Sequence, residues 1–383
     1  MVSRSAGIES LGIGLVGSGF MGRAHALAFR AVDGLFSLKA RPRLELLADR
    51  SEATAVRAAS ALGFARATSD WQALVRDPAV DIVAIATPNA LHAPIALAAI
   101  AQGKHVYCEK PLATRLTDAV AMTEAARQAG VVTLVGFNYL RNPMIVTARE
   151  MVRSGEIGTV TGFRGIHAEG FMADPQAAFS WRCEPDQDGG ALADIGSHII
   201  AMGRFLLGEV ESVCARLDTV HATRPGADGK ARAVTVDDQA AMLLRFREHP
   251  FTASLSTSWL ASGRDMQLAF ELTGTKGAIA FTQERFNELR LYSAASGQGS
   301  GRRGFTLVNA GPEHGDYAAF CPAPGHQLGF NDLKTIEVKR LIEAVCGQAP
   351  SDMDFGEALA VAQVVDAARR SSAQGSWVAV QRE

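Results

Sequence analysis

Asp194 and His198 lie in the stretch Gly189-Gly190-Ala191-Leu192-Ala193-Asp194-Ile195-Gly196-Ser197-His198-Ile199-Ile200-Ala201-Met202-Gly203. Their i,i+4 spacing puts both side chains on one face of a helix. No other ionisable residue occurs between Gly189 and Gly203, and a helix without a charged face is normally buried. A buried carboxylate beside an imidazole orients the ring and stabilises its protonated form. The pair therefore reads as an acid-backed general base, with a structural pair anchoring the helix as the alternative. Lys110 is the third candidate. It follows Glu109 at the end of the run Lys104-His105-Val106-Tyr107-Cys108 and precedes Pro111. An ammonium at the mouth of a buried strand must be paired or functional.

Acid–base groups act on a bound ligand, and the start of the chain offers a site for one. The apolar run Leu11-Gly12-Ile13-Gly14-Leu15-Val16 ends in Gly17-x-Gly19-x-x-Gly22, and Arg23 to Arg30 reads as the opening of a helix. Strand, tight turn and helix N-terminus in that order hold a dinucleotide pyrophosphate. Gly17 permits the turn, Gly19 lets the backbone approach the phosphates, and Gly22 lets helix and strand pack. Phe20 and Met21 lie inside the turn and join the glycines as candidate cofactor contacts. The helix dipole and free N–H groups face the anion. A second strand, Leu44-Glu45-Leu46-Leu47-Ala48-Asp49, ends in an acid suited to the adenosine ribose hydroxyls. A turn or capping role is the plainer alternative for Asp49. The gap to the glycines is longer than usual, and Val32 to Arg43 reads as an inserted loop. Arg50 could pair with a 2′-phosphate. The expected cofactor is NAD, with NADP as the alternative.

The strand Asp81 to Ala86 is almost continuously apolar, as a parallel sheet covered on both faces requires. It ends in Thr87-Pro88-Asn89-Ala90-Leu91-His92, followed by a helix from Pro94 to Gln102. Leu116 to Ala129 reads as a helix and Val131 to Phe137 as another strand. Thr87, Pro88, Asn89, His92, Glu109 and Asn138 thus cluster at strand ends, the edge where open α/β sheets bind ligands. Beyond Pro143 a helix (Ile145 to Ser154) leads into strands with few helices between them: Thr159 to Ala168, Val210 to Leu217, Asp238 to Phe246, Phe251 to Trp259, Gln267 to Thr273 and Gly277 to Phe281. Two helices, Leu333 to Cys346 and Phe355 to Ser371, precede a last strand from Ser376 to Val380. The expected fold is an α/β Rossmann domain over 1–143, then an α+β domain over 144–383 with a large, mainly antiparallel open sheet. The glycine-rich Ser296 to Gly304 lacks a strand-to-helix context and reads as a hairpin loop.

Composition narrows the classes further. In 383 residues, 48% are hydrophobic and 20% charged, a soluble globular profile with room for two cores. A net charge of −2 gives no reason to expect nucleic acid as a partner. The five cysteines (Cys108, Cys183, Cys214, Cys321, Cys346) form no CxxC pair and fit reduced thiols. No signal-peptide pattern or apolar run of membrane-spanning length stands out. The expected location is cytoplasmic.

With its motifs in this order, the chain resembles the glucose-fructose oxidoreductase/inositol dehydrogenase (Gfo/Idh/MocA) family. The marks are Gly17-x-Gly19-x-x-Gly22, Thr87-Pro88-Asn89 with His92, Glu109-Lys110-Pro111, and Gly190 with Asp194 and His198. The resemblance implies an N-terminal Rossmann domain joined to an open α+β sheet, and a catalytic set of Lys110, Asp194 and His198. It also implies Glu109 close to the nicotinamide ribose and a cis Lys110–Pro111 bond. Where many members carry an acid three residues beyond the histidine, this chain has Ala201. Assembly as a dimer or tetramer is a family-level expectation.

The implied reaction oxidises a ring secondary alcohol of a sugar, sugar derivative or cyclitol. His198 is the candidate base, Asp194 stabilises its cation, and Lys110 holds the same oxygen or relays the proton. Trp181 and Arg182 in Phe179-Ser180-Trp181-Arg182, together with Asn138 and His326, are candidate sugar contacts, and Tyr139 and Arg141 adjoin them. His167 and Glu169 alternate along a strand and could join Asp194 and His198 at a divalent metal. Neighbour hydrogen bonding is the commoner role of a strand histidine, so no metal is expected. The second functional class is a non-catalytic NAD(P)-binding sugar sensor. Retention of Lys110, Asp194 and His198 together argues for the enzyme.

Overall fold

The structure is a computed structural model that describes residues 10–295 and 303–381. Residues 296–302 of the glycine-rich stretch Ser296–Gly304 lie outside the described residues. In chain order the elements are β1 (Ser10–Val16), α1 (Phe20–Leu35), β2 (Arg41–Ala48), α2 (Glu52–Leu62), β3 (Arg66–Thr68), α3 (Trp71–Arg76), β4 (Ile82–Ile85), α4 (His92–Ala101), β5 (His105–Cys108), α5 (Leu116–Ala129) and β6 (Thr133–Val135). They continue with α6 (Pro143–Arg153), β7 (Val160–Ala168), α7 (Ser197–Leu207), β8 (Val210–Asp218), β9 (Thr223–Pro225), β10 (Ala231–Ala233), β11 (Gln239–Phe246) and β12 (Thr252–Ser258). The last are β13 (Gln267–Gly274), β14 (Gly277–Thr282), β15 (Glu288–Ser293), β16 (Thr306–Asn309), α8 (Tyr317–Phe320), α9 (Phe330–Val345), α10 (Phe355–Gln374) and β17 (Val378–Ala379).

The described chain forms two compact units. One runs to Arg141 and includes Leu328–Leu359; the other is Asn142–Gln327 with the residues from Ala360 on. The first unit is built on a six-stranded parallel sheet in the order β3-β2-β1-β4-β5-β6. The strand order reverses between β1 and β4, which is the switch point where such sheets bind dinucleotides. Ile13, Leu15, Leu47, Ile82, Val83 and Val106 are buried, as two helix-covered faces require.

Three expectations for this unit need correction. Val32 to Arg43 is not one inserted loop, because α1 continues to Leu35 with Val32 in the core, and β2 begins at Arg41. Gly34 and Pro42 read as loop residues, yet one sits in the last helical turn and the other near a strand start, where Pro is tolerated. Secondly, residues 328–359 belong to this unit and not to a continuous second domain over 144–383. The cause is a set of long-range bonds from α9 to β5, invisible to local pattern. Thirdly, α9 starts at Phe330, ahead of Leu333, where Asp332 accepts the Gly329 N–H at 2.7 Å.

The second unit carries a nine-stranded sheet in the order β16-β15-β14-β13-β7-β12-β11-β8-β17. Only β7 and β12 run parallel, so the sheet is mixed and mostly antiparallel. The short strands β9, β10, β15 and β16 gave no clear sequence signal. The stretch Pro185–Leu207 is, contrary to expectation, long and apolar enough to cross a membrane by composition, but 89% of its apolar window is buried in the protein. It is a core helix. The five cysteines are free.

That core helix begins in a π-helical turn, Leu192–Gly196, which passes into α7. Its first N–H groups are held by Asp237, whose carboxylate accepts from Leu192 N at 2.7 Å and whose carbonyl accepts from Ala191 N at 2.8 Å. Gly190 has φ +105°, and a Cβ there would lie 2.4 Å from Asp237 Oδ1. Burial pushes the Asp237 carboxyl up to about 6, against the pull of the Leu192 N–H and Arg369. The folded chain thus holds this proton more tightly than the unfolded one. The stability it lends is full at acid pH and is lost as pH rises through about 6.

Asp237→Asn keeps an acceptor for Leu192 and removes the buried charge. In urea unfolding the wild type should lose about 1–2 kcal/mol more than this variant between about pH 5 and about pH 8. Parallel pH profiles would contradict the assignment.

Candidate active site

One cluster of candidate groups lies at the carboxyl edge of the parallel sheet. Gly17 turns with φ +95°, and a Cβ there would lie 2.5 Å from the Ala86 carbonyl. On Gly22 a Cβ would sit 2.0 Å from the Gly17 oxygen, whereas on Gly19 it would meet nothing within 4 Å. The turn is therefore closed underneath and open above. Gly19 is the N-cap of α1 and no side chain caps that end, which leaves its N–H groups for an anion. Phe20 is 74% exposed and stacks on Phe330 at 5.6 Å. Met21 follows it in the first helical turn.

Asp49 stands just past β2. Its Oδ2 accepts from Ser18 N at 2.9 Å and from Ser18 Oγ at 2.5 Å, and its Oδ1 from Arg50 N at 2.7 Å. The acid is thereby tied to the glycine turn with its charge at the adenosine end, and the Arg50 side chain is exposed. The open Gly19 cradle, the uncapped α1 and this placed carboxylate fit NAD.

At the ends of β4, β5 and β6 lie Thr87 with Pro88, Glu109 and Asn138. Thr87 Oγ1 and Asn138 Nδ2 are buried and, among the described residues, have no hydrogen-bond partner. Asn89 opens the single helical turn that leads into α4. His92 is fully buried, with Nδ1 2.8 Å from the Pro111 carbonyl and Nε2 3.2 Å from the Thr87 carbonyl. It braces two loops, and burial lowers its pKa despite both carbonyls. The Lys110–Pro111 peptide is cis. Glu109 is buried, with Oε1 2.7 Å from His25 Nε2 and 2.6 Å from Lys334 Nζ. Burial raises its carboxyl, but Lys334 and His25 outweigh that and hold it well below the usual carboxylate range. Tyr139 packs edge-on against Phe330, and Arg141 pairs with Asp352 at 2.8 Å.

A second cluster of candidate groups lies in the other unit. Asp194 sits in the π-helical turn and His198 in the first turn of α7, both buried. Arg182 Nε donates to Asp194 Oδ2 at 2.8 Å. The same guanidinium lies over Trp181 at 4.5 Å and Phe171 at 5.2 Å. Trp181 is 41% exposed and Phe171 44%, so Arg182 links an aromatic surface to the buried acid. A small core of Met172, Cys183, Ala191, Ile195 and Trp259 lies beneath this loop. Buried Arg224 pins it by donating to the carbonyls of Met172 at 2.8 Å and Asp174 at 3.0 Å. His167 lies 5.5 Å from the His198 ring. Its Nδ1 donates to the Ile195 carbonyl at 2.7 Å and its Nε2 is 3.0 Å from Glu169. Both ring nitrogens are thus engaged, and among the described residues no three metal-ligating side chains cluster. His326 is exposed, and its carbonyl accepts from the Tyr317 hydroxyl.

Sequence reading missed His25, Lys334, Glu337 and Phe171. The signal existed for two of them. Lys334 and Glu337 fall at i,i+3 among Leu333, Ile336 and Val338, charged positions on a core-facing stretch of α9.

With this geometry in view, the comparisons decide the family. Residues 11–137 match the oxidoreductase family with an NAD-binding Rossmann fold, and residues 145–280 match the GFO/IDH/MocA C-terminal domain. The chain belongs to the GFO/IDH/MocA family. It is 37% identical to a levoglucosan dehydrogenase of Pseudarthrobacter phenanthrenivorans, over 97% of this chain and 99% of that one. A solved levoglucosan dehydrogenase in complex with NADH and levoglucosan superposes with a TM-score of 0.94 at 37% identity, covering 98% of this chain and 100% of the other. An NAD binding oxidoreductase from Klebsiella pneumoniae gives a TM-score of 0.93 at 40% identity with the same coverage. This GFO/IDH/MocA protein is an oxidoreductase that binds NAD through its Rossmann unit.

Asp49→Ala removes charge-assisted bonds of about 1.5–3 kcal/mol. The Kd for NADH in a fluorescence titration should rise about 10- to 100-fold, with discrimination against NADPH relaxed. An unchanged NADH affinity would remove Asp49 from the cofactor site.

Proposed function

We propose that this protein oxidises a ring secondary alcohol of a sugar, with an anhydropyranose such as levoglucosan as the first candidate substrate. The supporting observation is joint. Lys110 follows the strand end beside the NAD cradle, and the buried Asp194–His198 helix stands in a chain similar to a levoglucosan dehydrogenase over 97% of its length. Bound NAD supplies the two-electron acceptor.

This chain supplies the proton chemistry and the grip on the sugar. His198 takes the hydroxyl proton as general base. Asp194 offsets the positive charge that the imidazole gains, and the Arg182 bond fixes that carboxylate in place. Lys110 donates a hydrogen bond to the same alcohol oxygen and stabilises the negative charge developing there. Trp181 and Phe171 offer flat apolar faces for the C–H side of the ring, and Arg182, Asn138 and His326 are the candidate partners of its hydroxyls. We also infer self-association through the open face of the nine-stranded sheet, where Leu243 is 44% exposed and shares a cross-strand row, across Ser254, with the Arg164–Glu271 pair. Light scattering on the purified chain reads that state directly.

A panel of levoglucosan, aldoses and cyclitols with NAD and NADP, followed by nicotinamide absorbance, tests the substrate class. Lys110→Met should lower kcat by ~100-fold or more while NADH binds within about 3-fold of wild type. Tight NADH binding with no turnover of any polyol would favour the non-catalytic sensor.

A further inference from the structure

Lys334 lies on α9, more than two hundred residues from the strand end it serves. It is fully buried, and its Nζ donates to Glu109 Oε1 at 2.6 Å, Glu337 Oε2 at 2.9 Å and the Tyr107 hydroxyl at 3.1 Å. The Tyr107 hydroxyl in turn donates to Glu337. On the other side, His25 from α1 donates Nε2–H to Glu109 and stacks on Tyr107 at 4.2 Å. Burial lowers the His25 pKa, which leaves the ring neutral with Nδ1 as its bare nitrogen. Lys334 thus puts a buried positive charge in direct contact with the Glu109 carboxylate, and Glu109 Oε2 holds the Lys110 N–H at 3.3 Å.

Topology says which part of the cofactor feels this cluster. Asp49 after β2 marks the adenosine half of the sheet, so the ends of β4 and β5 serve the nicotinamide half. An ionised carboxylate there favours the cationic oxidised ring over the neutral reduced one. A carboxylate cancelled by a buried ammonium does so far less.

We propose that Lys334 is a positioning residue for the nicotinamide half-site, pinning and neutralising Glu109 so that the site holds oxidised and reduced cofactor in a pH-independent balance. It acts through Glu109, not by touching substrate. The groups facing Glu109 are His25 of α1, His92 of α4, Tyr107 and Cys108 of β5, Lys110 of the following turn, and Lys334 and Glu337 of α9, with Arg141 4.0 Å behind Glu337. Burial raises Tyr107 and Cys108 and lowers His25 and His92, which favours the neutral form of all four. Glu109 is left as the group whose charge Lys334 controls. The inference rests on NAD binding and not on the sugar assignment, so its test needs no sugar.

The test is the ratio of Kd for NAD+ to Kd for NADH, titrated on the full chain by intrinsic fluorescence from about pH 6 to about pH 9. Wild type and Glu337→Gln should give a flat ratio. Removing the ammonium with its second carboxylate, in the double variant K334M/E337Q, leaves Glu109 with His25 alone, so its pKa climbs into the measured range. The ratio should then fall by ~10-fold or more as pH rises and NAD+ gains over NADH, and adding E109Q should flatten it again. Equal weakening of both cofactor forms at every pH would assign Lys334 to packing and overturn the proposal. Glu109→Gln alone covers the case in which the double variant does not fold. It removes one carboxylate charge from the nicotinamide half, leaves Lys334 paired with Glu337, and should raise the ratio ~10-fold, whereas an unchanged ratio overturns the proposal. Loss of sugar turnover with these ratios intact would instead count against the substrate reading.

Discussion

A carboxylate shut away from water has to be given a cation, and Glu109 is such a carboxylate. Burying it at the end of β5 would cost several kcal/mol without a partner. The chain meets that cost with Lys334 and His25, drawn from opposite ends of the sequence. The consequence is architectural. Because α9 must deliver Lys334 to β5, residues 328–359 pack as part of the nucleotide-binding unit although eight strands of the second sheet intervene in the chain. Gly136 follows from the same demand, since a Cβ there would lie 2.7 Å from the Glu109 carboxylate. One buried charge therefore fixes a helix, a histidine and a glycine.

What could be read from sequence was what is encoded locally. The glycine turn needs three glycines at fixed offsets, and the structure gives Gly17 and Gly22 a steric reason within a few residues or one neighbouring strand, while the space above Gly19 stays open. Asp194 and His198 were visible because nothing else nearby is charged. The Val32 to Arg43 stretch misled because Gly34 and Pro42 are breakers in isolation, whereas a buried Val32 and the pairing of β2 with β1 override them. The π-helical turn at Leu192–Gly196 was illegible for a different reason. An i,i+4 pattern does not distinguish a normal turn from a widened one, and the acceptor that supports its start, Asp237, comes from much later in the chain.

The helix that carries the acid and the histidine is held at some expense. Asp237 caps it with a carboxyl that burial has pushed up to about 6, so near neutral pH an ionised group is kept in an unfavourable place. Gly190 accepts a left-handed backbone to let that carboxylate in. A plain α-helical start with a solvent-exposed cap would avoid both costs. The widened turn is the kind of local strain that structures keep where side-chain direction matters more than stability. Here it sets where Asp194 points as Arg182 reaches it from the preceding loop.

The Glu109 and Asp194 clusters are also unlike in how they spend polarity. Around Glu109 every ionic contact is buried and fixed by several bonds, which suits a cofactor that is the same in every turnover. Around Asp194 only the acid end of the chain of contacts is buried, and the Arg182 guanidinium leads outward to Trp181 and Phe171, each more than two fifths exposed. Exposed aromatic rings on a short loop can change with little penalty to the core, whereas a buried ion cluster cannot lose one member without stranding another. The loop is therefore free to change, while the acid, the imidazole and the pinned carboxylate stay under tight physical constraint.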